Sequence, residues 1–519
     1  MVKSYRLISV LKRKGSRRAK FIFVIVLCGL IYGLSHYIHE CYIKFKIKPE
    51  ILINEIYINR HEIPFPAITI CPPQVVKSEF LNLTKIRSEN TALSNEDQMS
   101  LAVSSQVCND LVLDLEKNPN EKYFNEDVVA VMKKISPQIN DIFKECTALD
   151  DAKSCEELFT NILTPKGNCF TFNMLDENLL LNQDTSRDVY SYNSALNSNP
   201  EMKWTMERKY LTDEELVNPL RSNVVQELRL KVKLNKSEDQ NLCEERSRGF
   251  MIIPHLPNEY PTNTHISTNL ETKKHKHLSI TATVKSIDNS FKVFPLKQRG
   301  CFNENERKLR FFKSYTMTNC IQECIANYTY AKCGCVAFFA PRTSDMKVCQ
   351  INDWTCYSII YNRWPRKYYT EPSNKAEYPE FPCNCLHTCA EIKYNIVNEY
   401  TFDRNDYDDE NVSYGTIEIQ FLVAQVTETT KFATYQFENF IAEVGGLISL
   451  FLGFSLLSFF ELCFEHFVNL RDGVRQFEEI IRSNWRIRTA IREQNDGDDD
   501  HIVILVPNRE RRATTTTLC

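Results

Sequence analysis

The sequence predicts a membrane protein in which two transmembrane helices flank a large disulfide-rich α+β extracellular domain, built as a sheet core with peripheral helical lobes. Three observations carry that reading. Residues 21–38 run for 18 positions without a formal charge, and 444–460 give a second uncharged run of 17. Sixteen of the 20 cysteines fall in the stretch from Cys71 to Cys389, well inside the segment between the two runs. The rest of the 519-residue chain is water-facing, with a mean hydropathy of −0.36, and a net charge of −4 gives no general attraction to nucleic acid.

The first span follows a basic flank. Lys3, Arg6, Lys12, Arg13, Lys14, Arg17, Arg18 and Lys20 are accompanied by no acid, and such a flank stays on the cytoplasmic side. A helix crosses the hydrocarbon core with about 20 apolar residues, so 21–40 is read as the first span. The alternative, a cleaved signal, has only Gly33 and Ser35 as a weak cleavage pattern. With a second span and pore at 437–467, the end segments 1–20 and 468–519 are cytoplasmic and 41–436 is extracellular. The sequons at Asn82, Asn235, Asn327 and Asn411 all fall in that outer part and are the candidate glycosylation sites. Sixteen cysteines suit eight bridges in an oxidising compartment, while Cys28, Cys41, Cys463 and Cys519 lie in or near the membrane or in the tail and are read as free.

Within the outer part, Pro64, Pro66, Pro72 and Pro73 bracket Ile68-Thr69-Ile70, a pattern that disfavours helix and favours a buried strand. Residues 75–160 are polar and rich in Lys, Glu, Asn and Leu, and read as several short helices around Cys108, Cys146 and Cys155. Residues 167–173, Gly-Asn-Cys-Phe-Thr-Phe-Asn, alternate as a strand, and 224–234 do the same. His255 lies between a strand and a turn, where a lone histidine is read as structural before it is read as a metal ligand or pH sensor. Cys320 and Cys324 are four apart in a helix-compatible segment and rise about 6 Å. Cys383 and Cys385 are two apart and, if extended, lie about 6.6 Å apart. The match allows two rungs, Cys320 with Cys385 and Cys324 with Cys383, although spacing alone leaves connectivity open. A zinc cluster at the Cys-x-Cys pairs is the rival, and the oxidising topology opposes it. Residues 396–430 alternate again as strands leading to the second span; 474–492 read as a basic amphipathic helix or a solvated one, and 495–519 as disordered.

The second uncharged run is unlike a plain anchor. Gly445, Ser449 and Gly453 recur every four residues and share one helical face. Such a stripe either lets neighbouring helices pack closely or, where glycine lets the backbone leave helical geometry, exposes carbonyls that can replace an ion's hydration shell along a watery path. Glu443 and Glu461 bracket the run as candidate pore-mouth acids. No constellation for catalysis is found: no HExxH, no phosphate-cradling glycine loop and no nucleophile elbow, so an enzyme is not expected, and neither a cofactor nor a resident metal is implied.

Four stretches resemble the degenerin and epithelial sodium channel family, most closely its insect pickpocket branch: Phe-Pro-Ala-Ile-Thr-Ile-Cys at 65–71, the 167–173 string, the Cys-rich segments around 319–342 and 383–389, and the run from Gly445-Gly446 to Gly453-Phe454-Ser455 and Glu461. The matches cover about residues 45–465. The resemblance implies a sodium-selective, amiloride-sensitive, stimulus-gated cation channel of the plasma membrane, assembled as a homo- or hetero-trimer with related subunits. It implies a selectivity filter at Gly453, Phe454 and Ser455, and a gate at Ala442, the degenerin position. It further implies the bridges Cys71 to Cys169, Cys146 to Cys155, Cys301 to Cys389, Cys333 to Cys356 and Cys335 to Cys349, which leaves Cys108 and Cys243 for an extra pair. The chain departs from the pattern in having Phe454 where a smaller residue is usual and in lacking a His-Gly pair before the first span, which means a divergent subunit or an incomplete amino terminus. The alternative is a non-conducting auxiliary or receptor-like subunit that needs partners.

Overall fold

In the computed structural model, the Ile-Thr-Ile run bracketed by prolines forms a strand, Ala67–Cys71, buried at every position. The structure describes residues 17–47, 51–89, 93–108, 111, 127–148, 154–191, 225–236, 243, 249–262, 265–303, 305–361, 383–403, 411–453, 460, 464, 467–468 and 470–483. They belong to two compact units, Glu50–Thr434 and the paired end segments Met1–Pro49 with Tyr435–Cys519.

The first unit holds fifteen strands among the described residues. In chain order they are β1 Ile51–Asn59, β2 Ala67–Cys71, β3 Phe143–Thr147, β4 Phe159–Thr164, β5 Gly167–Phe172, β6 Tyr190–Ser191, β7 Glu227–Asn235, β8 Phe250–His255, β9 Thr268–Leu270, β10 Lys274–Ile287, β11 Cys301–Phe302, β12 His387–Thr388, β13 Glu391–Asp403, β14 Val412–Phe421 and β15 Gln425–Ala433. The seven-stranded sheet has the order β1-β15-β10-β14-β7-β3, with β13 on the other edge of β10. A six-stranded sheet runs β6-β4-β5-β2-β8-β9, and β11 and β12 form a short parallel pair.

Period-two alternation aims one face of each strand at a shared core. Leu228, Leu230 and Val232 of β7, Leu278 and Ile280 of β10, and Ile417, Ile419 and Phe421 of β14 meet Ile68, Ile70, Phe170, Phe172 and Ile252 of the other sheet. Phe143 stacks on Phe159 at 4.5 Å, and Phe65 meets Phe172 and Phe421 edge-on at 6.2 and 5.8 Å. Each such ring contributes about 1.5–3 kcal/mol by leaving water. The opposite face of the six-stranded sheet is covered by helices. Leu101, Met132, Ile321 and Ile325 join Ala67, Cys71, Leu163 and Cys169 in a second core. The helices start where the sequence supplies caps: Ser94 and Asp97 form a capping box, and Asp127 and Thr316 accept from the first-turn amides.

Residues 75–160 are helical at Leu83–Glu89, Asn95–Ser104, Val128–Ile135 and Ile139–Ile142, but Phe143–Thr147 is a strand. Its Phe143 and Cys146 face the core while Lys144 and Glu145 face out, and β7 supplies its ladder. Eight disulfides brace the unit: Cys71–Cys169, Cys108–Cys243, Cys146–Cys155, Cys301–Cys389, Cys320–Cys385, Cys324–Cys383, Cys333–Cys356 and Cys335–Cys349. Gly249, at φ +97°, lies so close to β9 that a Cβ there would fall 2.2 Å from the Leu270 carbonyl oxygen, so only glycine fits.

Candidate functional site

Residues Phe21–Lys46 form the one stretch among the described residues that is long and apolar enough to cross a membrane. The second helix, Phe437–Leu452, has 16 residues and stops at Gly453. There the backbone turns left-handed, at φ +63°, and the Gly453 amide donates to the Ser449 carbonyl at 2.9 Å. A side chain at that position would strain the turn, whereas glycine does not, and a helix ended this way leaves last-turn carbonyls outside its own ladder.

The two helices of this unit pack through one face of the second. Phe440 stacks on Phe45 at 5.1 Å, Phe437 approaches the same ring, and Phe451 lies 6.0 Å from Tyr37. Gly33 makes room for Phe451, since a Cβ there would be 3.0 Å from the ring. Phe440, Val444, Leu447, Ile448 and Phe451 are accordingly half-buried. Ala442, Gly445, Gly446, Ser449 and Gly453 are exposed. At about 100° per residue the centres of these two sets lie roughly 170° apart round the helix. A Cβ added at Gly445, Gly446 or Gly453 meets nothing within 4 Å. The small-residue stripe is therefore not used to pack the chain's own first helix, and it presents bare backbone to whatever lies outside the single chain.

Glu443 lies between these faces, and its carboxylate accepts from the Tyr435 hydroxyl. The thiol of Cys41, free and buried, lies beside both groups. Nothing in the sequence pointed to this trio, because Cys41 and Glu443 are joined only by folding. Phe454, Ser455, Glu461, Cys463 and Cys519 lie outside the described residues. Residues 470–483 are helical and exposed.

In the larger unit the helix Met317–Cys333 carries Cys320, Cys324 and Cys333, and its start is locked from both sides. Buried Asn319 accepts from the Tyr260 amide at 3.0 Å and donates to the Asn258 carbonyl at 2.8 Å. Glu323 accepts from the Phe311 amide at 2.8 Å. The helix is thus tied to the 257–260 turn as well as bridged to Cys383 and Cys385. Of the sequons, Asn235 and Asn411 are exposed and neighbour each other where β7 pairs with β14. Asn82 is half-buried, and Asn327 is half-buried on the helix, with Thr329 buried and donating to the Ile325 carbonyl.

His255 is fully enclosed. Its Nδ1 donates to the Leu256 carbonyl at 2.9 Å, which leaves Nε2 to accept from the Thr69 hydroxyl at 2.8 Å. Burial first, then the neighbouring His265, lower its pKa from 6.5 to about 3. The folded state thus holds this ring neutral, while the unfolded chain takes up a proton below the ordinary value, so stability falls as pH drops from about 6.5 towards 3. Melting curves of the purified chain between pH 7.5 and 5 should show a steeper acid-side fall than those of His255→Asn; equal slopes would assign the acid sensitivity elsewhere.

Comparison with known proteins follows the same lines. The sequence profile of the amiloride-sensitive sodium channel family matches residues 6–464. The chain is similar to pickpocket protein 28 of Drosophila melanogaster, with 24% identity over 465 residues that cover 85% of this chain and 72% of that protein. It shares 26% identity over 283 residues with the sodium channel protein Nach of Drosophila virilis, covering 50% of this chain and 67% of that one. The bile acid-sensitive ion channel of Mus musculus is 21% identical over 502 residues, covering 90% and 86%.

Proposed function

The chain belongs to the amiloride-sensitive sodium channel family, and from that premise we propose that it forms the sodium-selective, amiloride-blocked pore of a plasma-membrane cation channel. Membership makes it a channel subunit and not an enzyme. The finer reading is that two spans place both termini in the cytoplasm, that residues 41–436 are extracellular and glycosylated, and that three such subunits, identical or related, surround the conduit. Gly453, Phe454 and Ser455 select among ions, Ala442 gates, and Glu443 and Glu461 draw cations to the mouths.

One observation supports the pore-lining role above others: Ala442, Gly445, Ser449 and Gly453 are exposed on the face turned away from the chain's own first helix, and the helix ends at Gly453. A stripe of small residues and freed carbonyls suits close contact with water and ions, which a lipid-facing surface could not tolerate. The gating path follows the chain. β1 and β15 pair with Ile51 opposite Ala433, so the strands that lead from the first helix and into the second are one hydrogen-bonded pair. A stimulus that shifts the disulfide-braced domain moves that pair, and both helices with it.

The test is a thiol at Ser455. In a surface-expressed Ser455→Cys channel, a charged, membrane-impermeant thiol reagent should react and cut the sodium current. Failure to react from either side of the membrane in an assembled complex would sink the pore reading. Phe454 favours a second reading, a non-conducting auxiliary subunit, because the sequence has a bulky aromatic residue where the family carries a smaller one. Recordings from the chain alone and with related subunits separate the two: current only with partners, unaltered by the thiol reagent, identifies the auxiliary.

A further inference from the structure

Residues 470–483 form a helix that ion conduction leaves unused, and it begins three residues after the proposed end of the second span at 467. Its large apolar side chains, Leu470, Val474, Phe477, Ile480 and Ile481, are uncovered, each between 46 and 65% exposed. At about 100° per residue these five fall within an arc of roughly 120°. Arg471, Arg475 and Arg482 gather in a sector of roughly 40° along one border of that arc, with Glu478 among them. Asp472 and Glu479 lie on the opposite side, and Asp472 is 4.0 Å from Arg471.

We propose that this helix is a docking surface for the cytoplasmic leaflet of the membrane, with Leu470, Val474, Phe477, Ile480 and Ile481 in the acyl boundary and Arg471, Arg475 and Arg482 at anionic phospholipid headgroups. The assignment rests on the two-span topology proposed above. An apolar stripe of this extent is unfavourable in water. The second span keeps the helix beside an apolar phase that can cover it, and tethering turns that contact into a local event. Charge agrees. After residue 483 the sequence adds Arg486, Arg488 and Arg492 around Trp485 with no acid before Glu493, so 470–492 carries six arginines against three acids. A segment of net positive charge is drawn to the anionic inner leaflet, and a tryptophan suits the headgroup level.

A seam between copies of the chain fits less well. Leu470, Val474, Phe477 and Ile481 do follow the three-and-four spacing of a coiled coil. On one side of such a seam, however, the flanking positions are Gly473 and Ile480, neither of which can pair charge with a neighbouring copy, and the arginines all lie on the other side. An interfacial helix needs only an apolar face bordered by basic residues. Seated on the leaflet, the helix anchors the inner end of the second span, so that lipid charge becomes an input to the channel besides the outer stimulus.

The experiment uses the full chain with Cys28, Cys41, Cys463 and Cys519 replaced by serine, purified in detergent and reconstituted into phosphatidylcholine vesicles with or without phosphatidylserine. A polarity-sensitive fluorophore is attached at Phe477→Cys or at Glu479→Cys, on opposite sides of the helix, and some of the lipid carries a quencher on its acyl chain. Quenching of the Phe477 label should exceed that of the Glu479 label at least about twofold, because only the stripe enters the acyl boundary, and phosphatidylserine should increase it. Leu470→Glu with Ile481→Glu should abolish the difference, whereas Arg475→Gln with Arg482→Gln should reduce the phosphatidylserine effect alone. A label at Phe464→Cys reports on the second span itself, because Phe464 lies within 437–467 and is 69% exposed. Quenching of the Phe464 label with none of the Phe477 label overturns the docking surface and leaves the span standing; no quenching of either overturns the span as well. Equal quenching of the Phe477 and Glu479 labels also overturns the proposal. So does a disulfide between copies through Phe477→Cys on mild oxidation, formed in place of lipid quenching, which would assign the stripe to a seam.

Discussion

Replacing Ala442 with phenylalanine should produce a standing inward sodium current under voltage clamp, at least about tenfold above that of the unsubstituted channel without stimulus, and blocked by amiloride; a tenfold change in open population corresponds to about 1.4 kcal/mol between closed and open forms. The reasoning starts from where Ala442 lies. It is exposed, on the small-residue stripe, and opposite the face that holds Phe440 and Phe451 against the first helix. Ala442 is exposed on the helix surface, so the folding cost expected of a ring there is that of helix propensity, about 0.5 kcal/mol. Its effect must then come from the assembled channel. If stripes from neighbouring subunits converge when the pore is shut, a bulky side chain cannot be accommodated in that state, and the population moves to the wider one.

Leu450→Phe provides the contrast. Leu450 is 79% exposed but lies roughly a quarter turn from the stripe, so its enlargement should leave the resting current unchanged. Equal activation by both substitutions would show that added bulk anywhere on the helix opens the channel and would remove Ala442 from the gate. Silence of Ala442→Phe at the cell surface, even with related subunits present, would shift the reading to the auxiliary subunit.

What the sequence made legible was local. The strand Ala67–Cys71 follows from prolines and β-branched residues that act within a few positions, and the enclosure of His255 from its place between strand and turn. The spacing of the cysteine ladder was compatible with two rungs, because four residues of helix and two of extended chain advance nearly the same distance, but the choice of partners was left open by spacing alone. Phe143–Thr147 escaped because its Lys144 and Glu145 look helical until β7 supplies a partner. The division of Phe437–Leu452 into a packing face and a bare one also needed the fold, since Phe451 finds Gly33 and Tyr37 from the far end of the chain.

The same ladder yields a prediction that separates redundancy from simple addition. Serine at both Cys320 and Cys385 should cost about 2 kcal/mol, because the Cys324–Cys383 rung remains and the lost bridge closes only the short ring between the two rungs. Serine at all four positions should cost about 5–6 kcal/mol. With Cys301–Cys389 intact, the remaining Cys324–Cys383 rung joins points about 30 residues apart round an existing ring, worth roughly 3–4 kcal/mol beyond the inner one. A loss of that size is comparable with the whole stability of many domains, about 5–15 kcal/mol. The two-serine variant should therefore reach the cell surface near normal levels and melt a few degrees lower, while the four-serine variant should be retained inside the cell. Surface biotinylation together with melting of the purified chains distinguishes the outcomes. A four-serine variant that matches the two-serine one would mean that Asn319, held by the Tyr260 amide and the Asn258 carbonyl, and the packing of Ile321 and Ile325 into the core suffice to seat this helix without either bridge.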